Sequence, residues 1–434
     1  MLGIITLFTA LSAQLGFLGY RIITKDCQTR IKHIIRISAF IIFALLMATG
    51  VYWWGFRWIG LFILLVILAV FSAVFFIRKP GPEKKYKRST AILSCISSCF
   101  MLTFLILPGI LFPQFAPIAS TGSYVVDTTS VTFVDDSRVD PFSKTDENRK
   151  LTVQFWYPDI EKGTDTFPLA VFSHGAFGYR GSNISTFEDL ASNGYVVCSI
   201  DHSYQAFFAK HTDGSMTFVN TAFLNDAVNI TNGDYDKQTT YTKTHEWLAL
   251  RTDDINFVLN KILNNMEGET PETIGTLINE DKIGLFGHSL GGAAAAQTGR
   301  ERPDVDAVIV IDGTMIGEET GIENGQVILT KEDYPVPLLN LYNDSHYEDA
   351  RQLGTAYNNL SASAHAAEAY DIVIRDSGHL NFTDLPLFSP AFARMLGTGE
   401  VDSPYCIKTM NHIVLDFFNH TLKDAGALQL KTEY

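Results

Sequence analysis

The first quarter of the chain consists mainly of long apolar stretches that contain no charged residue. They cover residues 2–20, 37–56, 58–77 and 89–112. Each meets the length of about 20 residues that a helix needs to cross the hydrocarbon core of a bilayer. Their apolar positions are not confined to one helical face, which disfavours the alternative of buried core helices. The pattern predicts a membrane anchor with four transmembrane helices over residues 1–114.

Beyond residue 114 the apolar positions form short runs that are typical of strands. Two segments alternate between apolar and polar residues, 123–135 and 149–157, and six later runs are apolar throughout: 168–173, 195–200, 282–286, 305–311, 336–342 and 370–374. Continuous Val, Ile and Leu runs indicate parallel strands buried on both faces. Helical patterns lie between them, at 182–193, 243–264, 290–300 and 405–422. This alternation predicts an α/β fold with a doubly wound, mostly parallel sheet over residues 115–434.

Two polar segments interrupt this alternation, at 209–241 and 313–335, and both are predicted to be excursion loops. A third segment, LPLFSPAF at 385–392, is apolar and allows two interpretations. It either lines an opening that faces lipid or packs in the core.

Charge is distributed unevenly between the two parts. The first 114 residues carry twelve Lys and Arg but two Asp and Glu, whereas the remainder carries 21 basic and 45 acidic residues. Nucleic-acid binding needs a basic surface that neutralises phosphates, so the acidic remainder argues against a nucleic-acid partner. Nothing in the sequence indicates a protein partner.

The basic residues also predict how the helices cross the membrane. Two connections are strongly basic, with Arg21, Lys25, Arg30, Lys32 and Arg36 in the first and Arg78, Lys79, Lys84, Lys85, Lys87 and Arg88 in the third. The second connection holds only Arg57, and Trp53, Trp54 and Trp58 cluster there. Positive loops stay cytoplasmic and Trp favours the interface. We therefore expect a plasma-membrane protein whose C-terminal domain faces outward.

Cysteine and histidine spacing indicates no metal site, and no metal or other cofactor is expected. Only Cys198 and Cys406 lie after residue 114, and neither is part of a CxxC or Cys/His pattern. Whether they pair is left open by the sequence. Cys198 lies in an apolar strand pattern, which favours a buried thiol.

The strongest chemical signal is Gly287-His288-Ser289-Leu290-Gly291, between the strand pattern KIGLF and an Ala-rich helix pattern. A serine at a sharp turn from strand to helix is typical of the nucleophile elbow of α/β-hydrolases, where a strained backbone exposes the hydroxyl. Flanking glycines are needed because side chains there would collide with the neighbouring strand and helix. The alternative is an ordinary glycine-rich turn. The context favours Ser289 as a nucleophile.

A serine hydroxyl needs a base that takes its proton, and this fold orders its residues as Ser, acid and His. The downstream histidines are His346, His365, His379, His412 and His420. His379 is favoured because it follows a strand in the loop DSGHLNF, ahead of the last helix. The acid is either Asp312 or Asp344, since each follows a strand pattern. Chain order does not separate these two.

An oxyanion hole needs two preorganised backbone N–H donors. One is expected from the residue after the nucleophile, Leu290. The other is expected from the loop SHGAFGYRG, where Gly175 and Ala176 are the candidates and Ala176 is preferred. The alternative for this loop is a plain turn.

These motifs carry a resemblance to a known family. The stretch SHGAFGYRGSNISTFEDLASNGYVVCSIDH, the helix with Arg251 and Asp254, and the segments DKIGLFGHSLGG, VIVIDGTM and DSGHLNF resemble the plasma-type platelet-activating factor acetylhydrolases. The resemblance covers about residues 123–425 in order. It implies a calcium-independent α/β-hydrolase that cleaves short or oxidised sn-2 acyl chains from phospholipids.

The resemblance also assigns individual residues. It implies a triad of Ser289, His379 and Asp312, with oxyanion donors at Ala176 and Leu290. The four-helix region and the excursion loops depart from the family pattern, so the substrate is the least determined feature. A general carboxylesterase or acyltransferase on the same triad is an alternative, as is a membrane sensor or adaptor with an inactive hydrolase domain.

Overall fold

The computed structural model describes residues 1–78, 85–160, 165–264 and 270–434. Its contacts divide the chain into two units. One consists of Met1–Ala116 with Leu387–Ala393, and the other of Pro117–Pro386 with Arg394–Tyr434. We call them the helical unit and the α/β unit.

The helical unit contains four long helices, α1 (Leu2–Thr24), α2 (Thr29–Ala48), α3 (Phe56–Ile77) and α4 (Arg88–Leu111). All four are long and apolar enough to cross a membrane. Most of their large apolar side chains are exposed, as expected of a surface that faces lipid rather than water. The four predicted helices are therefore confirmed by length and composition.

The predicted bounds of α2 were wrong, whereas those of α4 agree to one residue at each end. Helix α2 begins at Thr29, so Arg30, Lys32 and Arg36 lie within it and not in a loop. A helix satisfies its own backbone hydrogen bonds and can continue past the hydrocarbon core, so the apolar stretch does not mark its start. Pro108 lies inside α4, and the helix ends at Leu111. Lys79 and Lys84 of the predicted third loop lie outside the described residues.

Small residues and one glutamine organise one end of the helical unit. A Cβ on Gly109 would lie 2.6 Å from the Trp58 ring, so glycine lets this buried indole pack against α4. The Gln114 Oε1 accepts hydrogen bonds from Trp58 Nε1 at 2.8 Å and from the Trp53 backbone N–H at 3.0 Å. The tryptophan cluster that the sequence placed at this connection is thus tied to the chain that follows α4.

The segment Leu387–Ala393 belongs to the helical unit, although residues 115–434 were predicted to form one domain. The Phe112 ring lies 5.0 Å from the Phe388 ring and 5.7 Å from the Phe392 ring. The Ser389 hydroxyl donates a hydrogen bond to the Leu111 carbonyl at 2.6 Å. Of the two interpretations of this apolar segment, these contacts agree with packing. The segment packs against the end of α4, however, and not in the core that the sequence suggested.

The α/β unit alternates strands and helices. From residue 117 onward the elements are β1 (Val126–Val139), β2 (Asn148–Pro158), β3 (Phe167–Ser173), α5 (Ile184–Ser192), β4 (Val196–Asp201), β5 (Phe208–Lys210), β6 (Met216–Phe218), α6 (Thr221–Asn232), α7 (Lys237–Leu263), α8 (Glu272–Gly275), β7 (Ile278–His288), α9 (Leu290–Glu301), β8 (Ala307–Ile311), β9 (Glu319–Glu323), β10 (Gln326–Leu329), β11 (Leu338–Tyr342), α10 (Asp344–Leu353), α11 (Asn358–Ala364), β12 (Ala369–Val373), α12 (Leu385–Phe388), α13 (Pro390–Leu396) and α14 (Ser403–Lys423).

Eight strands form one sheet in the order β1-β2-β4-β3-β7-β8-β11-β12. The pairs β1/β2 and β2/β4 are antiparallel, and all later neighbours are parallel. Every residue of β3, β8 and β11 is buried, because helices cover both faces. This burial explains the continuous apolar runs, and the predicted doubly wound, mostly parallel sheet is confirmed.

Both predicted excursion loops contain regular structure, so that prediction was wrong. Residues 209–241 include most of the β5–β6 hairpin, all of α6 and the start of α7, and residues 313–335 include the β9–β10 hairpin. Helix α6 begins at an Asn220 cap, whose side chain accepts from the Ala222 and Phe223 N–H groups. Phe223 is its one buried residue and packs on Trp247 at 4.8 Å. One buried anchor leaves too little apolar periodicity for the sequence to reveal the helix.

Candidate active site

Ser289 occupies a sharp turn between β7, which ends at His288, and α9, which begins at Leu290. Its φ is 56° and its ψ is −126°, a conformation that residues with a side chain rarely adopt. The turn depends on its glycines. A Cβ on Gly287 would lie 2.3 Å from the Gly291 backbone, and one on Gly291 would lie 2.0 Å from the Ser173 carbonyl oxygen. The geometry is that of a nucleophile elbow.

His379 and Asp312 meet at the carboxyl ends of β12 and β8, two strands that β11 separates in the sheet. Asp312 follows β8 with a φ of 48°, and His379 lies in the loop after β12. The His379 Nδ1–H donates to Asp312 Oδ2 at 2.6 Å. The Asp312 side chain is fully buried, whereas the His379 ring is 41% exposed. The arrangement gives His379 a fixed carboxylate on one side and leaves its other nitrogen accessible.

The charge of Asp312 is set by its hydrogen bonds. Burial by itself would raise the pKa of this carboxyl group, but hydrogen bonds from His346 and His379 reverse the effect and hold the pKa well below its usual range. The carboxyl group is therefore ionised. Asp344, the other acid that the sequence left open, pairs with the Arg375 guanidinium at 2.8 Å instead.

His288, next to Ser289, holds the loop that carries His379. Burial, followed by the nearby His379, lowers the pKa of His288 to about 3. The ring is therefore neutral, and its Nε2–H donates to the His379 carbonyl oxygen at 3.0 Å. The two rings lie 4.5 Å apart. This contact connects the residue before the nucleophile to the backbone of the candidate base.

Within the described residues, Ser289 and His379 are not joined by a hydrogen bond. The Asp–His half of the predicted triad is thus joined by a hydrogen bond, whereas the Ser–His half is not. Catalytic hydrogen bonds of this kind often tighten only when substrate binds.

The loop after β3 contacts the elbow and carries the candidate oxyanion donor Ala176. A Cβ on Gly175 would lie 3.1 Å from the Ser289 Cβ. The Gly175 carbonyl accepts from His174 Nδ1 at 2.7 Å and from the Gly178 N–H at 3.0 Å. Since this carbonyl shares a peptide plane with the Ala176 N–H, these bonds fix the direction of that donor.

Leu290 supplies the second candidate donor, as the first residue of α9. Amides in the first turn of a helix have no partner within the helix. In the part of the chain that the structure describes, neither the Leu290 N–H nor the Ala176 N–H has a backbone hydrogen-bond acceptor. Both predicted donors are therefore free to bind a substrate oxygen.

A buried charged network lies behind this loop. The Arg251 guanidinium donates to the His174 carbonyl and, at 2.6 Å, to Gln205 Oε1. Asp254 lies one turn further along α7 and pairs with Arg149 at 2.6 Å. All of these side chains are buried.

His202 joins this network to the loop. Its Nδ1 contacts Asp254 at 2.9 Å, and its Nε2 contacts the Ser173 hydroxyl at 2.9 Å. Arg149 and His202 were not predicted from the sequence. Each is a polar residue at the end of a strand pattern, and polar residues are common at strand ends simply because turns begin there.

The remaining histidines have other partners. His365 Nδ1 bonds the Ser361 carbonyl at 2.8 Å, His412 lies 3.4 Å from Asp416, and His420 bonds Glu368 at 2.9 Å. His346 differs, because its Nδ1 contacts Asp312 Oδ1 at 2.8 Å. Cys198 and Cys406 are both free and buried. Across the described residues, no group of three or more His, Cys, Asp or Glu side chains is arranged to hold a metal ion.

Known proteins share this fold and sequence pattern. The chain is 25% identical over 284 residues to a platelet-activating factor acetylhydrolase of Canis lupus familiaris, covering 62% of this chain and 60% of that protein. It is 24% identical over 298 residues to a probable 1-alkyl-2-acetylglycerophosphocholine esterase of Arthroderma benhamiae, covering 62% of this chain and 67% of that protein. The match thus spans about 60% of the length of the mammalian relative.

A solved structure, a ferulic acid esterase from Streptomyces cinnamoneus, matches with a TM-score of 0.55 at 21% identity and covers 73% of this chain and 97% of that one. This likeness supports the α/β-hydrolase fold. The family model for platelet-activating factor acetylhydrolase, isoform II, matches residues 150–429, which is more than half of the chain. The chain therefore belongs to the platelet-activating factor acetylhydrolase family, isoform II.

Proposed function

We propose that this chain is a membrane-anchored serine ester hydrolase that releases short or oxidised acyl chains from phospholipids. The observation that carries the proposal is the 2.6 Å hydrogen bond between His379 and the buried, ionised Asp312, beside the strained elbow at Ser289. This combination prepares a base near a serine that is only partly buried, which a turn with a purely structural role does not require.

In the proposed reaction the Ser289 hydroxyl attacks the ester carbonyl carbon while His379 Nε2 takes the hydroxyl proton. Asp312 stabilises the resulting imidazolium through its bond to Nδ1. The negative charge that develops on the carbonyl oxygen is stabilised by the Ala176 and Leu290 N–H groups, each worth about 2.7–4 kcal/mol. His379 then returns the proton to the leaving alcohol. Water hydrolyses the acyl-enzyme by the same route in reverse.

Membership of the family supports the substrate class, because relatives carry the names platelet-activating factor acetylhydrolase and 1-alkyl-2-acetylglycerophosphocholine esterase. Residues 1–114 would anchor the enzyme through α1–α4, and residues 115–434 would contain its catalytic domain. The basic first and third connections support an outward-facing domain at the plasma membrane. A tethered domain would meet lipid esters without searching the surrounding solution.

Replacement of the nucleophile tests the proposal. We expect Ser289→Ala to abolish both hydrolysis and fluorophosphonate labelling of the purified full chain, with its thermal unfolding midpoint close to wild type. A matched control is Ser215→Ala, because the exposed Ser215 hydroxyl bonds the Asp213 side chain at 2.6 Å, in the connection between β5 and β6. Full activity in Ser289→Ala, or a wild-type chain that neither reacts with the probe nor hydrolyses any ester, would refute the proposal.

A substrate panel separates the related functions. Phospholipids with sn-2 chains from acetyl to long acyl, tested beside simple aryl esters, should show a preference for short or oxidised phospholipid chains. Equal rates on all esters would indicate a general carboxylesterase, and transfer to an added alcohol would indicate an acyltransferase. A membrane-impermeant fluorophosphonate on intact cells tests the outward orientation, which requires labelling without permeabilisation.

A further inference from the structure

The Asp312 carboxylate binds a second histidine besides His379. His346 Nδ1 lies 2.8 Å from Oδ1, while His379 Nδ1 lies 2.6 Å from Oδ2. Asn343 completes the set, with its backbone N–H on Oδ1 at 2.9 Å and its side-chain amide on Oδ2 at 2.6 Å. Each carboxylate oxygen therefore accepts two hydrogen bonds.

The start of α10 explains why His346 reaches this position. The Asn343 side chain caps the helix by accepting from the His346 backbone N–H at 2.9 Å. The same Asn343 donates to Asp312 through its backbone and side-chain N–H groups, so one residue aligns the first turn of α10 with the carboxylate. His346, on that first turn, then faces Asp312. Capping and carboxylate recognition therefore share two residues, Asn343 and His346.

The hydrogen-bond partners of His346 define which of its ring nitrogens carries the proton. Because Asp312 is ionised and can only accept, His346 Nδ1 carries the proton. Its Nε2 contacts the Tyr357 hydroxyl, which also contacts Thr314 Oγ1 at 2.9 Å. Burial raises the pKa of Tyr357 to about 12, so the phenol keeps its proton. The phenol then donates to Nε2 and accepts from Thr314.

We propose that His346, supported by Tyr357, is a positioning residue that holds Asp312 Oδ1 so that Oδ2 faces His379. This inference rests on the proposed hydrolase function. His346 bonds neither Ser289 nor His379, and it acts only through the carboxylate. Without the His346 side chain, Oδ1 accepts a hydrogen bond only from the Asn343 backbone N–H. The carboxylate can then rotate out of the plane in which it stabilises the imidazolium.

The experiment compares two replacements of His346 in the purified full chain, with the ester that wild type hydrolyses fastest. His346→Asn keeps an amide N–H near the position of Nδ1, whereas His346→Leu has no donor. We expect His346→Leu to lower kcat by about 10- to 100-fold, the loss of a hydrogen bond to a charged group, with KM unchanged. His346→Asn should stay within about 3-fold of wild type, since it retains that bond.

Two further variants keep the test informative if His346→Leu unfolds. Tyr357→Phe removes the donor to His346 Nε2 and should lower kcat by about 3- to 10-fold at constant KM. This is the effect expected from the loss of one hydrogen bond between neutral groups, about 0.5–1.5 kcal/mol. His365→Leu is the matched control, because His365 bonds a backbone carbonyl and not Asp312. We expect it to change the unfolding midpoint but not kcat.

The outcomes distinguish this inference from the proposed function. If Ser289→Ala is inactive while His346→Leu, or Tyr357→Phe where His346→Leu is unfolded, matches wild type in kcat, the positioning role is wrong and the hydrolase function stands. A folded His346→Asn that is as slow as His346→Leu also overturns the role, because the donor would then not matter. A wild-type chain without hydrolase activity or fluorophosphonate labelling overturns both.

Discussion

Replacing Asp312 with Asn exchanges one carboxylate oxygen at the centre of the candidate site for an NH₂ group, and the hydrogen-bond partners determine which oxygen is replaced. An amide NH₂ at the Oδ1 position would face the Asn343 backbone N–H, which cannot turn away. An unsatisfied buried donor costs about 1–3 kcal/mol. At the Oδ2 position the NH₂ would face the Asn343 side chain, which can flip at the expense of its cap on the His346 N–H, about 1 kcal/mol, and His379 Nδ1, which can lose its proton. We therefore expect the NH₂ at the Oδ2 position.

This orientation forces His379 into the wrong tautomer, with its proton on Nε2 and no lone pair there for the Ser289 proton. The same exchange in a serine protease lowers kcat by about 10⁴-fold, which corresponds to about 5.5 kcal/mol of transition-state stabilisation. We expect a loss of that order for Asp312→Asn, with KM within about 3-fold of wild type because the site that contacts substrate is unchanged.

The assay is steady-state hydrolysis of a fluorogenic short-chain ester by the full chain, together with the rate of fluorophosphonate labelling. Asp344→Asn is the matched control, since Asp344 was the alternative acid and instead forms a partly exposed ion pair with Arg375. Such pairs contribute about 0–1 kcal/mol to stability, so kcat should not change. If Asp344→Asn were inactive and Asp312→Asn active, the assignment of the acid would be reversed.

Two further predictions concern the elbow and the buried histidines. Gly291→Ala should abolish activity or folding because its Cβ would lie 2.0 Å from the Ser173 carbonyl oxygen, whereas Gly321→Ala, with no atom within 4 Å, should behave as wild type in hydrolysis and thermal unfolding. Burial lowers the pKa of His202 and of His288 to about 3, so the unfolded chain binds protons that the folded chain cannot, and stability should fall as the pH drops below about 6.5. Unfolding midpoints between pH 7.5 and 5 measure this slope, and a midpoint that rises on acidification would contradict it.

Part of the fold could be read directly from the sequence because it depends on local patterns. The four apolar helices and the strands at 168–173 and 282–286 have continuous apolar runs, which burial on both sides or contact with lipid requires. Element ends were less accurate. Apolar runs report the surroundings of a helix and not its hydrogen bonds, so the first turns of α2 and the whole of α6 were missed.

The residues of the candidate site also fall into those that a local pattern predicts and those that it does not. The sequence by itself determined Ser289, because a nucleophile elbow is a local structure whose glycines and flanking elements are adjacent in the chain. It could not choose between Asp312 and Asp344, which both follow strands. Asp344 follows β11, the direct neighbour of β12, yet the carboxylate that bonds His379 is Asp312 after β8. The choice therefore depends on how the loops beyond the strand ends fold, which only the tertiary structure shows.

The roles of His346, Arg149 and His202 likewise emerged only from the tertiary structure. His346 lies 34 residues from Asp312 in sequence, and Arg149 lies 105 residues from Asp254. Pairs so distant in sequence produce no periodic pattern, because the residues around one partner contain no information about the position of the other. The chain thus specifies its candidate nucleophile locally, whereas the groups that charge, orient and support the candidate base are brought together by the packing of the sheet and its helices.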